Sequence, residues 1–282
     1  FIIISKSGET IETIANTFFM QIIKNNPRNV LIISENKNST LFRLSKKYNI
    51  YFINHKKYIG GRYSVLSEAG IVPAYFMGIN ISKIRKNIRK YLIKKNINIL
   101  RENVLILSTL LKKQKINNLI FLNYSPHLEK FLYWCQQLIA ESLGKKGKGF
   151  LPLISNNPKD HHSLLQLFLD GPKDKLFYIF SSNEKKTKKV NTKKYIDGIN
   201  FLHNKTIDEI KKAQKNAIIE VLKEKKVPYR EFKLKKLNEE SLGELFSYFM
   251  LETILVGKVT NINPYNQPAV EKVKIYTKKI LT

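Results

Sequence analysis

The chain has 282 residues, is 43% hydrophobic and carries a formal net charge of +28 at pH 7. That length allows one large or two ordinary domains with a substantial core. No apolar run approaches the ~20 residues of a membrane helix, and the apolar stretch at 1–4 is too short for the core of a signal peptide. The single cysteine, Cys135, excludes an internal disulfide and fits a reducing, cytoplasmic setting.

The elements alternate from the start. Ile2-Ile3-Ile4 is a short β-branched run and predicts a buried strand. Apolar residues at 11, 14, 15, 18, 19, 22 and 23 predict one helix over 11–23, stopped by Pro27. A strand is expected at 30–34, a helix at 39–48 and a third strand at 50–53. Strand and helix at this spacing mean βαβ units and a parallel sheet. Gly60-Gly61 interrupts the pattern, followed by helical stretches at 64–77, 82–95 and 100–113. Alternation resumes with strands at 119–122, 150–154 and 176–180 and a long helix over 126–143. Thr206 and Glu209 have capping-box spacing and open another helix. A strand at 228–234 and helices at 239–257 and 268–281 complete the chain. The expected division is two α/β domains, 1–100 and 101–282, with a solvated lysine-rich loop at 183–194.

The charge is spread rather than patterned. Only seven of the 50 basic residues are arginine, and the lysines fall in short groups such as 185–189 and 223–226. They do not interleave with aromatics on one stripe, so compositional drift accounts for them better than a nucleic-acid partner. A nucleic-acid binder would instead show salt-sensitive retention on DNA or RNA. Part of the charge is expected to draw anionic substrates toward a cleft.

Ser5-Lys6-Ser7-Gly8-Glu9-Thr10 follows the first strand and feeds the first helix. Ligands of open parallel sheets sit beyond the carboxyl ends of strands, and helix N-termini favour anions. Ser5, Ser7 and Thr10 supply hydroxyls, Lys6 a point charge, and Gly8 a close backbone approach. The turn reads either as a phosphate cradle or as an ordinary helix cap at Ser7 or Thr10. Glu9 weighs against the cradle by adding negative charge.

The same turn resembles the sugar-phosphate loop of sugar isomerase (SIS) domains. Three further stretches are similar to signatures of the glucose-6-phosphate isomerase family. They are Gly60-Gly61-Arg62-Tyr63-Ser64, Gln137-Leu138-Ile139-Ala140-Glu141-Ser142-Leu143-Gly144-Lys145, and the stretch from Tyr265-Asn266-Gln267 through Val270-Glu271 to Lys274. Asp160-His161-His162-Ser163 fits a fourth. All occur in the family's order and together span almost the whole chain.

The resemblance implies two three-layer α/β/α SIS domains with parallel sheets. It implies reversible conversion of D-glucose 6-phosphate and D-fructose 6-phosphate through a cis-enediol, without metal or cofactor. By position, Glu141 is then the proton-shuttling base, Arg62 the cation beside the developing oxyanion, and His162 the ring-opening acid/base, assisted by Lys274. Ser5, Lys6, Ser7 and Thr10 bind the phosphate, and Gly61 and Gln267 contact the sugar. On a helix, 267, 270, 271 and 274 would share a face and aim Gln267 and Lys274 at one pocket. His161 is a bystander, and no role falls to His55, His127 or His203. The resemblance further implies a homodimer in which His162 serves the neighbouring subunit's site. It also implies an upstream glycine–serine loop that this sequence lacks, hence an incomplete first domain and weak activity. The rival from another class is a non-catalytic sugar-phosphate-binding regulator of the SIS type, which needs the cradle but no proton shuttle.

Overall fold

A computed structural model describes residues 1–25, 27–183, 188–192 and 198–282. Contacts divide them into two compact units, Phe1–Asn87 and Ile88–Thr282.

The first unit holds a three-stranded parallel sheet in the order β1 (Ile2–Ile4), β2 (Leu31–Ser34), β3 (Tyr51–Asn54). Helices α1 (Ile11–Phe19), α2 (Ile22–Asn25) and α3 (Thr40–Lys47) connect the strands, and α4 (Glu68–Phe76) and α5 (Ile81–Arg85) follow. Alternate strand residues Ile3 and Ile32 point to one face, where Ile14, Ile22, Ile23, Leu41 and Leu44 cover them. The single helix expected over 11–23 is broken at Gln21, which takes a left-handed backbone with φ 49°. That kink brings Ile22 and Ile23 onto the sheet and leaves Phe18 and Phe19 exposed.

The second unit opens with a 20-residue helix, α6 (Lys94–Lys113). The sequence pattern splits this region into two helices and sets the domain boundary near 100. Instead Leu100, Val104, Leu107 and Leu111, spaced three or four apart, form one buried stripe that runs through that point. The compact units divide at Asn87 and Ile88.

Four parallel strands follow in the order β5-β4-β6-β7, with β4 Asn118–Asn123, β5 Leu151–Asn156, β6 Lys175–Ser182 and β7 Tyr229–Leu234. Helices α7 (Glu129–Leu143), α8 (Leu165–Asp170), α9 (Ile207–Glu224) and α10 (Glu239–Val259) flank this sheet, and α11 (Glu271–Leu281) ends the chain. One face packs Ile120, Leu122, Phe177 and Ile179 against Phe168 of α8 and Ile218, Ile219 and Leu222 of α9. The other face is aromatic. Phe180 stacks on Phe232 at 4.7 Å and meets Phe131 of α7 and Phe249 of α10. The result is an α/β/α sandwich, as expected.

On the aromatic face Arg230 donates to Glu252 Oε1 at 2.6 Å and to the hydroxyls of Tyr178 and Tyr248. Tyr248 also donates to Glu252 at 2.5 Å. Burial, and then the Glu252 charge, push both tyrosines well above their ordinary pKa. The buried Cys135 thiol is raised the same way. Of the loop expected at 183–194, residues 184–187 and 193–194 lie outside the described residues. Among the described residues no helix is long and apolar enough to cross a membrane.

Candidate active site

In the first unit the turn after β1 is a closed hydroxyl cluster. Ser5 is buried, and its Oγ lies 2.7 Å from Thr10 Oγ1 and 3.5 Å from Ser7 Oγ. The Gly8 N–H donates to Ser5 Oγ, and the Glu9 N–H to Ser7 Oγ. Thr10 occupies the N-cap position of α1, but its side chain caps nothing in the helix. The first N–H groups of α1 have no acceptor within the helix. Gly8 has φ +68°, and a Cβ there would sit 2.2 Å from Ser39 Oγ, so only glycine fits this crossing.

Glu9 does not oppose an anion as its charge suggested. Its carboxylate turns to the start of α3, accepting from the Thr40 N–H at 2.6 Å and the Thr40 hydroxyl at 3.1 Å. There it satisfies an orphan donor and complements the helix dipole. Lys6 stands 3.5 Å from Glu35 and is partly exposed.

Arg62 lies in a 3-10 turn, Gly61–Leu66, with its guanidinium buried and 5.4 Å from the Tyr63 ring. The segment before it is pinned by His55, whose main-chain N–H donates to Ser34 O at 2.7 Å and whose Nε2 bonds Ile59 O at 3.3 Å. A Cβ on Gly61 would meet nothing within 4 Å. Packing within the protein therefore does not demand glycine at that position.

In the second unit Glu141 occupies the last turn of α7, half-buried, and accepts from Gln137 Nε2 at 3.1 Å. It lines a cleft of about 1250 Å³ together with Lys145, Asn266 and Gln267. The tie between these distant stretches is Lys145, which donates to Ser142 O at 2.9 Å and to Asn263 O at 2.6 Å. One ammonium thereby holds the end of α7 against the segment that carries Gln267.

Lys274 is placed differently from the expectation. Gln267 precedes a 3-10 turn, Pro268–Val270, and the α-helix starts only at Glu271. The two residues therefore share no helical face. The cleft lining ends at Val270, and the Lys274 ammonium bonds Glu271 Oε1 at 2.7 Å on the exposed surface.

His162 is also outside that cleft. It is exposed, at the end of a 3-10 turn, Lys159–His162, which follows β5. Asp160 accepts from the Asn156 N–H at 2.7 Å and anchors the turn at the carboxyl end of the sheet. The Glu141 cleft is lined by Asn117, Leu151 and Pro152, at the opposite, amino end. Six-residue β5 separates the two by about 17 Å at ~3.3 Å per residue. One second unit does not bring Glu141 and His162 together.

His161 is not idle. Its Nε2 and the hydroxyl of buried Tyr124, at the end of β4, are hydrogen-bonded at 2.7 Å. Burial, and then the His162 charge, hold the His161 pKa below 6.5, while burial raises that of Tyr124. The contacts of Lys145 with Asn263, Glu9 with Thr40 and Tyr124 with His161 had no local sequence signal, because the partners lie 30 or more residues apart.

The family profile described as phosphoglucose isomerase matches residues 1–282. A protein of Methanocaldococcus jannaschii named glucose-6-phosphate isomerase is 33% identical over 281 residues, covering 96% of this chain and 69% of its own. One of the same name from Mycoplasmopsis synoviae is 33% identical over 288 residues, covering 96% and 66%. The chain thus spans about two thirds of the length of the curated relatives it matches. Among solved structures, a hypothetical protein of Thermus thermophilus superposes with a TM-score of 0.89 at 26% identity, over 100% of this chain and 71% of that one. A glucose-6-phosphate isomerase of Chlamydia trachomatis gives 0.76 at 19% identity, over 99% and 58%, which shows the shared fold.

Proposed function

The chain belongs to the phosphoglucose isomerase family, and we propose that it interconverts D-glucose 6-phosphate and D-fructose 6-phosphate by moving a proton between C1 and C2. One observation carries the reading: Glu141 lines a cleft beside Gln267, two motif residues far apart in sequence and joined through Lys145. A carboxylate half-withdrawn from water is a suitable base for a carbon-bound proton.

In this proposal Glu141 takes the proton from C2 of the aldose and returns it to C1 of the resulting enediolate, which gives the ketose. The buried Arg62 guanidinium faces the enediolate oxygen, where permanent positive charge lowers the barrier. Gly61 leaves bare backbone beside the sugar, and Gln267 fixes a hydroxyl. Ser5, Ser7 and Thr10, with Lys6 and the start of α1, hold the phosphate. His162 opens the ring by protonating its oxygen. Lys274 assists, which requires it to exchange Glu271 for substrate.

The separation of Glu141 from His162 supports a homodimer in which each subunit lends its histidine to the other's site. A cytoplasmic setting suits the reduced, buried Cys135.

The test is Glu141→Gln in a coupled assay. Removing the base should lower kcat by about 10²- to 10⁴-fold and leave KM within a few fold. Turnover that persists would discard Glu141 as the base. Sugar-phosphate binding without turnover in the unsubstituted protein would favour the regulator instead.

A further inference from the structure

We propose that the second unit carries a phosphate site of its own, separate from the turn after β1. At the carboxyl end of its sheet, β6 finishes on Ser181 and Ser182, and Lys233 of β7 pairs in register with Ser181. Helix α9 begins beside them. Its Asp208, Lys211 and Lys215 recur at intervals of three and four, so they share a face. These six residues line a cleft of about 70 Å³. Open parallel sheets take ligands at this end, yet none of the motif residues lines the cleft.

The cleft is built rather than merely exposed. Lys215, Ser182 and Ser181 are only 5%, 7% and 9% exposed. Ser182 Oγ is held at 2.6 Å by Ser125 Oγ. Among the described residues, Lys212, Lys215 and Lys233 meet two acids here. Lys212 pairs with Asp208 Oδ2 at 3.0 Å, and Lys215 with Glu231. Among the described residues Lys233 has no acidic partner. The excess positive charge calls for an anion.

Asp208 specifies which anion. Its Oδ2 is taken by Lys212, but its Oδ1 is buried with no hydrogen-bond partner. A buried acceptor left unpaired costs about 1–3 kcal/mol, so the ligand should bring a donor. An oxyanion with no proton would meet only repulsion from that oxygen. Hydrogen phosphate carries a P–OH, and hydroxylated phosphate esters carry alcohol groups. Sulfate at neutral pH carries neither. The shared chemistry is therefore a phosphate group with a hydroxyl donor attached or adjacent.

The test titrates the whole chain with inorganic phosphate, glycerol 3-phosphate and sulfate at pH 7 and constant ionic strength. Calorimetry gives affinity, and the amide shifts of Ser181, Ser182 and Asn183 give location. Both phosphates should saturate with shifts at those amides, and sulfate should bind about tenfold more weakly, the worth of one hydrogen bond. The tighter of the two phosphates identifies the source as free anion or ester. Asp208→Asn should shrink the preference over sulfate, and Lys233→Ala should weaken all three. Equal affinity for sulfate, or shifts confined to residues 5–10, would overturn the proposal. That comparison uses unsubstituted protein, so a variant that fails to fold leaves the answer intact. Binding confined to residues 5–10 would leave the isomerase reading standing.

Discussion

If Glu141 and His162 work in one site, two different inactive subunits should restore each other. The perturbation is a pair of variants, Glu141→Gln and His162→Ala, each purified as an inactive homodimer. In the structure the two side chains stand at opposite ends of a sheet whose six-residue β5 spans about 17 Å. General acid/base chemistry needs contact near 3 Å. The proposal therefore draws each site's glutamate from one subunit and its histidine from the other. After unfolding and refolding an equal mixture, about half the dimers are mixed. Each mixed dimer has one site with both substitutions and one with neither. Activity should return to about a quarter of that of the unsubstituted protein. The coupled assay reads this directly, with each variant refolded alone as the baseline. If the mixture stays at that baseline while cross-linking shows mixed dimers, donation between subunits is wrong.

Gly8→Ala should destabilise the chain by about 2–4 kcal/mol, from left-handed strain and the collision with Ser39; an unchanged urea midpoint would contradict this. Lys6→Ala with Ser7→Ala should raise KM for fructose 6-phosphate far more than it lowers kcat, because those groups hold a phosphate that does not react; an unchanged KM would remove the cradle. Tyr178, Tyr248, Tyr124 and Tyr91 have pKa values raised above their ordinary 10.0, chiefly by burial. The folded state therefore keeps protons that the unfolded chain releases, so stability is full below pH 10 and falls as pH rises beyond it. The last part of the tyrosinate absorbance, from these buried rings, should rise together with the loss of circular dichroism; complete ionisation of the tyrosines with the fold intact would count against this burial.

Elements whose signal is local were readable from the chain. Ile2-Ile3-Ile4, the Thr206–Glu209 capping box and the alternation of strand and helix each depend on neighbours a few residues away. What escaped depends on contacts distant in sequence. The break at Gln21 lets Ile22 and Ile23 reach the sheet, and no helical period announces it. Glu9 looked like a charge in the wrong place until Thr40, 31 residues on, proved to be its donor. The face shared by 267 and 274 assumed a helix through Pro268, whereas proline fits a helix start and the α-helix begins only at Glu271.

In the proposed site, the second sheet separates two kinds of work that parallel sheets usually combine. Ligands normally gather at the carboxyl ends, where loops and helix N-termini supply donors. Glu141 instead stands at the amino end, on the last turn of α7, where the helix terminus offers carbonyls rather than N–H groups. The proposed phosphate anchor lies instead on the first unit's turn. The carboxyl end of the second sheet is then left without a part in the isomerase chemistry apart from the turn bearing His162. The lysine and serine cleft occupies that end, so a phosphate bound there should alter binding at residues 181–183 without competing for the Glu141 cleft.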